Sequence, residues 1–166
     1  MTPDPVPPVE TTRLNEPMGQ DDRVASASLD ISAPADRIFE LIADPAEQPS
    51  WDGNDNLAEA AKGQRVHRVG DVFLTTISQG GVRENHVVEF EEGRLIAWRP
   101  SEQGTPPPGH LWRWELTPVD DAHTRVTHTY DWTQLTDENR MVRARATGED
   151  ALMSSLRGLA AAAEGA

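Results

Sequence analysis

The chain has 166 residues, with 28 acidic against 15 basic side chains and a formal charge of −13; it has room for one sizeable core and a field that repels phosphate backbones and anionic headgroups. The absence of cysteine removes disulfides, thiolate zinc sites, iron–sulfur clusters and cysteine nucleophiles together, which suits a reducing cytoplasm. No run nears the roughly 18 apolar residues of a membrane span, and MTPDPVPPVE lacks the basic start and apolar middle of a secretory signal, so nucleic-acid binding, membrane insertion and export are set aside.

Residues 1–23 are rich in proline and acid and have no apolar period, which predicts a disordered tail ahead of a single domain over 24–166. VASASLDI, Val24 to Ile31, alternates as a strand. In SAPADRIFELIAD, Ser32 can cap a helix and Pro34 suits its first turn, with Ile38, Phe39, Leu41 and Ile42 on one apolar face and a stop before Pro45. PAEQPSW predicts a second short helical turn that delivers Trp51 to a polar loop, DGNDN. In NLAEAAKGQRVHRVGD the glycines Gly63 and Gly70 cut any helix short, so the reading there is a weak strand and a turn at Gly70-Asp71.

Strand patterns then dominate. DVFLTTIS and VRENHVVEFE form a hairpin across Gly80-Gly81, RLIAWRP runs to Pro100, and after the loop SEQGTPPPG come HLWRWELTP and TRVTHTYDW around the acidic turn VDDAH. The connections are too short for parallel crossovers, so these strands are expected to be antiparallel. The chain closes with LTDENRMVRARATGEDALMSSLRGLAAAA, where Thr136 is a candidate cap and Leu152, Leu156, Leu159 and Ala163 recur at helical spacing. Whether Gly148 kinks or interrupts that helix stays open.

Alternation sorts the strand faces. It groups Val126, His128, Tyr130 and Trp132; His110, Trp112, Trp114 and Leu116; Ile96 with Trp98; and Val82, Glu84, His86, Val88 and Phe90. Such aromatics either fill a core or line a pocket. A buried polar atom without a partner costs about 1 to 3 kcal/mol against a domain stability of about 5 to 15 kcal/mol, so the imidazole and phenol groups among these rings favour a partly wet cavity. The expected lining is Trp98, Trp112, Trp114, His128 and Tyr130, joined by His86, Val88 and Phe90, and the expected occupant is a hydrophobic small molecule. His128 or His86 has the reference basicity of a general base, and Tyr130 has the proton of a general acid. Residue types alone do not separate those roles from hydrogen-bonded wall positions, and no catalytic residue is assigned. There is no HxH, HExxH or calcium-loop pattern, no Gly-x-Ser-x-Gly elbow and no strand–GxGxxG–helix unit, so no metal and no cofactor is expected.

SAPADRIFELIADPAEQPSW, VGDVF and WELTPVDDAHTRVTHTYDW, in that order, resemble the START-like (SRPBCC) superfamily of polyketide cyclases, plant pathogenesis-related proteins and Bet v 1-type allergens. The actinobacterial polyketide cyclase/dehydrase type is the nearest likeness, and it covers roughly Val24 to Ala163. The resemblance implies an α+β helix-grip fold: a curved antiparallel sheet wrapped around a long C-terminal helix, two short helices after the first strand, and a cavity between sheet and helix. It also implies binding of lipids, sterols, polyketides or similar molecules, with only some members being enzymes. Two alternatives accompany it. One is a cyclase or dehydrase using His128 and Tyr130; the other is a protein-interaction module like the relatives that assist chaperones, for which no partner can be named.

Overall fold

The computed structural model describes residues 20–54 and 56–165, so residues 1–19 of the expected tail lie outside the described residues. The last part of that stretch, Gln20–Arg23, is a 3-10 turn tied to the sheet. Trp132 donates its backbone N–H to the Arg23 carbonyl at 2.9 Å, and the Arg23 guanidinium lies 5.4 Å from the centre of the Trp132 ring.

The strand β1 (Val24–Ile31) leads into the helix α1 (Ala35–Ala43). Ser32 does not cap this helix. Pro34 occupies the cap in an extended conformation without a side-chain bond, and the Ser32 N–H instead donates to the Glu164 carboxylate at 2.9 Å. The stop falls where expected, with Asp44 extended ahead of Pro45, after which Pro45–Ser50 make a 3-10 helix. Six more strands follow: β2 (Leu57–Glu59), β3 (Val72–Ile77), β4 (Val82–Glu91), β5 (Leu95–Glu102), β6 (Leu111–Asp120) and β7 (His123–Asp131).

All seven strands form one sheet in the order β1-β7-β6-β5-β4-β3-β2, antiparallel at every pairing. The outer face of β1 and β7 is a polar ladder: the hydroxyls of Ser26 and Thr129 are 3.3 Å apart, those of Ser28 and Thr127 2.7 Å, and Arg125 donates to Asp30 at 2.8 Å. On the inner face of β1, Ala25 and Ala27 stand opposite Tyr130 and His128, so the large rings of β7 meet small neighbours on the strand that the last helix covers.

The C-terminal segment is two helices, α2 (Glu138–Ala146) and α3 (Glu149–Glu164), separated where Gly148 is extended. Asp137, not Thr136, caps α2 by accepting the Asn139 N–H at 2.9 Å. α3 lies against β1, β7 and α1 and buries Leu152, Leu156, Leu159 and Ala163, the stripe that the helical spacing predicts. The result is the α+β helix-grip arrangement, a curved antiparallel sheet closed by the terminal helix, with two helical segments after β1. Among the described residues, no helix is long and apolar enough to cross a membrane.

Candidate ligand cavity

Register places the aromatic side chains in rows across the sheet. Trp98 pairs with Trp112 and Trp112 with Tyr130, while Ile96 pairs with Trp114 and Trp114 with His128. The rings touch as well as align: Trp112 to Tyr130 is 4.3 Å between centroids, Trp112 to His128 is 5.5 Å and stacked, and Trp114 to His128 is 3.6 Å and stacked. Trp51 arrives from the far side with its ring edge-on to Trp114 at 5.3 Å, held by an Nε1–H bond to the Leu41 carbonyl at 2.8 Å.

These rings do not fill the space beneath the helices. A cavity of about 570 Å³ remains, walled by Trp98, Trp112, Trp114, His128 and Tyr130 from β5, β6 and β7, and it reaches the surface beside the exposed Gln79, Asn139 and Arg143. Thr75 and Asn85 contribute a buried polar pair, with Asn85 Nδ2 donating to Thr75 Oγ1 at 3.1 Å and to the Phe73 carbonyl at 3.2 Å. Opposite the sheet, Asn54 donates to the Ala151 carbonyl and to Ser155 Oγ, each at 2.9 Å, and Ser155 donates to the Asp52 carbonyl at 2.9 Å. That network pins the loop after Trp51 to α3 and makes one rim of the cavity.

Five of the eight residues expected to line the cavity do so; His86, Val88 and Phe90 do not. In β4 the register shifts between Val87 and Glu89, so one residue is extra. Before the bulge the inward positions are Arg83, Asn85 and the buried Val87, which turns the 37% exposed Val88 and His86 outward. His86 Nε2 there lies 3.4 Å from Ser101 Oγ and 3.8 Å from Glu84. After the bulge the parity changes, and Phe90 packs edge-on to Phe39 of α1 at 5.7 Å, in the core and away from the cavity. Arg99, which follows Trp98 in β5 and so points to the other face, donates to the Gly109 carbonyl at 2.6 Å.

His128 is fully walled in. Its Nδ1 lies 3.1 Å from the Arg113 carbonyl, and because a carbonyl only accepts, Nδ1 carries the proton and Nε2 is the lone-pair nitrogen. Burial pushes its pKa down to about 3, with the Arg113 carbonyl opposing weakly. A base that weak accepts few protons near neutrality, and no hydrogen bond joins His128 to Tyr130 among the described residues. Burial raises the Tyr130 phenol to about 12, so it stays protonated and remains a donor; Arg143 and Arg140 offset this slightly. His110, just ahead of β6, is lowered to about 4 by burial first and then by Arg140, Arg83, Arg99 and Arg143. Two buried nitrogens lack partners among the described residues, His110 Nδ1 and Trp114 Nε1.

His110 shares the alternation of Trp112 and Trp114 but carries no lining assignment from sequence, and Arg83, Asn85, Arg140 and Arg143 have no local pattern that marks them. The two α2 arginines reach the cavity because α2 crosses its mouth, which helical periodicity does not reveal. Among the described residues, no group of three or more His, Cys, Asp or Glu side chains is arranged to hold a metal ion.

Known proteins share this architecture. A family model described as polyketide cyclase/dehydrase and lipid transport matches residues 23–164. Rv0088 of Mycobacterium tuberculosis is 30% identical over 110 residues, which is 64% of this chain and 46% of that protein. The chain thus spans about half the length of the curated relatives it matches. The Zhui aromatase/cyclase of a Streptomyces species superposes with a TM-score of 0.62 at 18% identity, covering 86% of this chain and 93% of the other. A START superfamily protein from Mycobacterium smegmatis does so with 0.62 at 17% identity, covering 86% and 97%. At those identities the likeness to the solved structures is one of fold. The family match, in contrast, runs from the residue before β1 to the last residue of α3 and takes in every wall of the cavity; this chain belongs to the START-like family of polyketide cyclase/dehydrase and lipid-transport proteins.

Proposed function

We propose that this protein binds a hydrophobic, aromatic-bearing small molecule in the cavity between the sheet and α3, and that His128 holds the wall in place and does not move protons. The observation that supports the reading is an open space of about 570 Å³ against a face of stacked and tilted rings. A closed core of the same composition would have filled that space. The acid–base alternative loses its base, because burial keeps His128 neutral and leaves it little affinity for a proton.

Pyrenebutanol, a neutral aromatic alcohol, is a direct probe because pyrene accepts energy from excited tryptophan. Titration into the protein should give saturable pyrene emission. Trp112→Leu, which removes a ring at the centre of the wall, should weaken binding about tenfold. Arg125→Gln, on the outer face, should leave it unchanged. An unsaturable signal with the parent protein, or equal affinities for these two variants, would overturn the proposal.

A further inference from the structure

We infer that the ligand is an amphiphilic carboxylate whose aromatic body rests on the Trp98–Trp112–Tyr130 wall while its acid group meets arginines at the mouth. This deepens the binding reading above and rests on it. Three arginines line the cavity, Arg83 from β4 and Arg140 and Arg143 from α2, against one described acid, Asp52. Asp52 is already engaged, since its Oδ2 accepts the N–H groups of Asn56 at 2.6 Å and Leu57 at 3.1 Å. Arg140 is paired with Glu102 at 2.9 Å and Asp137 at 3.2 Å. Arg83 and Arg143 have no carboxylate within 4.0 Å among the described residues.

The cluster stands out because the chain as a whole carries −13, so a local surplus of guanidinium at a cavity mouth runs against the general charge. Its position is consistent from two directions: Arg83, Arg140 and Arg143 all act on His110, and Arg140 and Arg143 both act on Tyr130. The Tyr130 phenol, on the cavity wall, keeps its proton and is a donor there. A site rich in donors and guanidinium forks selects an oxyanion, and a carboxylate is the planar one that a fork engages with two parallel bonds.

Pyrenebutyrate and pyrenebutanol share the aromatic body and differ in the acid, so their comparison separates the two readings. The acid should bind about tenfold or more tightly than the alcohol, the size expected of a charge-assisted hydrogen bond. Arg143→Gln and Arg83→Gln should each remove most of that advantage while leaving pyrenebutanol affinity within about twofold, and Arg83→Lys should restore part of it. Arg143 is exposed, so its replacement does not threaten the fold. Alcohol binding equal to or tighter than acid binding, or glutamine variants that weaken both probes alike, would overturn the carboxylate assignment alone. Failure of both probes to bind would overturn the cavity reading with it. Pyrenebutyl phosphate binding more tightly than the carboxylate, with the same arginine dependence, would replace the carboxylate by a phosphate monoester.

Discussion

His128 and His110 are held where the unfolded chain protonates them readily and the folded chain does not. Burial lowers His128 to about 3 and His110 to about 4, against about 6.5 in the unfolded chain. Between those limits the unfolded state binds more protons, so the histidine contribution is fully present above about 6.5 and is lost as the pH falls toward the folded values. Lowering the pH from about 7 to about 5.5 should therefore cost on the order of 1 kcal/mol per histidine in urea unfolding. Glu89 and Glu92 are held below their usual range by hydrogen bonds from Arg113 and Arg65, so most of their own share is lost at lower pH. A His128→Asn variant should be less stable overall and have a shallower pH slope; a slope as steep as the parent's would refute the buried neutral imidazole. At this scale the sequence was legible where strands are regular. The alternation in β7 and β6 put Trp112, Trp114, His128 and Tyr130 on the correct face. In β4 it failed, because Val87 and Val88 are chemically alike and nothing in VRENHVVEFE marks which of them the sheet will bulge out.

Between elements, the decisive contact is the approach of α3 to the loop at Trp51. Gly158 lies inside α3, where alanine is worth about 1 kcal/mol more than glycine on helix propensity alone. A Cβ at that position would sit 2.3 Å from the Trp51 carbonyl oxygen, which is backbone and cannot swing away. Gly158→Ala should therefore destabilise by about 1 to 3 kcal/mol in urea unfolding, the range for overpacking, where propensity predicts a gain. A stabilised variant would mean the loop yields easily. The same loop carries one rim of the cavity, through Asn54 and Ser155. Helix stripes and proline stops were readable from spacing, whereas caps were not: Ser32 and Thr136 have the right chemistry, but their neighbours Pro34 and Asp137 take the cap positions. Gly148 marks a break, and only its extended backbone between α2 and α3 shows that it separates two helices.

Across the molecule, 28 acidic side chains face 15 basic ones, so the acids outnumber the cations available to pair with them. Ion pairs such as Arg65 with Glu40 at 2.9 Å and Glu92 at 2.7 Å, or Arg113 with Glu89 at 2.7 Å, are few beside a net charge of −13, and pairs near the surface are worth about 0 to 1 kcal/mol. Screening should therefore relieve more repulsion than it removes attraction. Raising sodium chloride from about 0.02 to about 0.3 M should raise the thermal midpoint at neutral pH, and a fall would show that the pairs outweigh the general field. Consecutive residues alone were enough to specify the order of strands and helices, the aromatic supply on β5, β6 and β7, and the acidic character of the chain, because alternation, helical period and charge are properties of neighbouring residues. The parity of β4, the volume left beneath α3, the neutrality of His128 and the placing of Arg83, Arg140 and Arg143 on the lining of one cavity came only with the folded molecule. Each depends on hydrogen bonds, curvature and desolvation contributed by residues distant in the chain, and no local pattern carries that information.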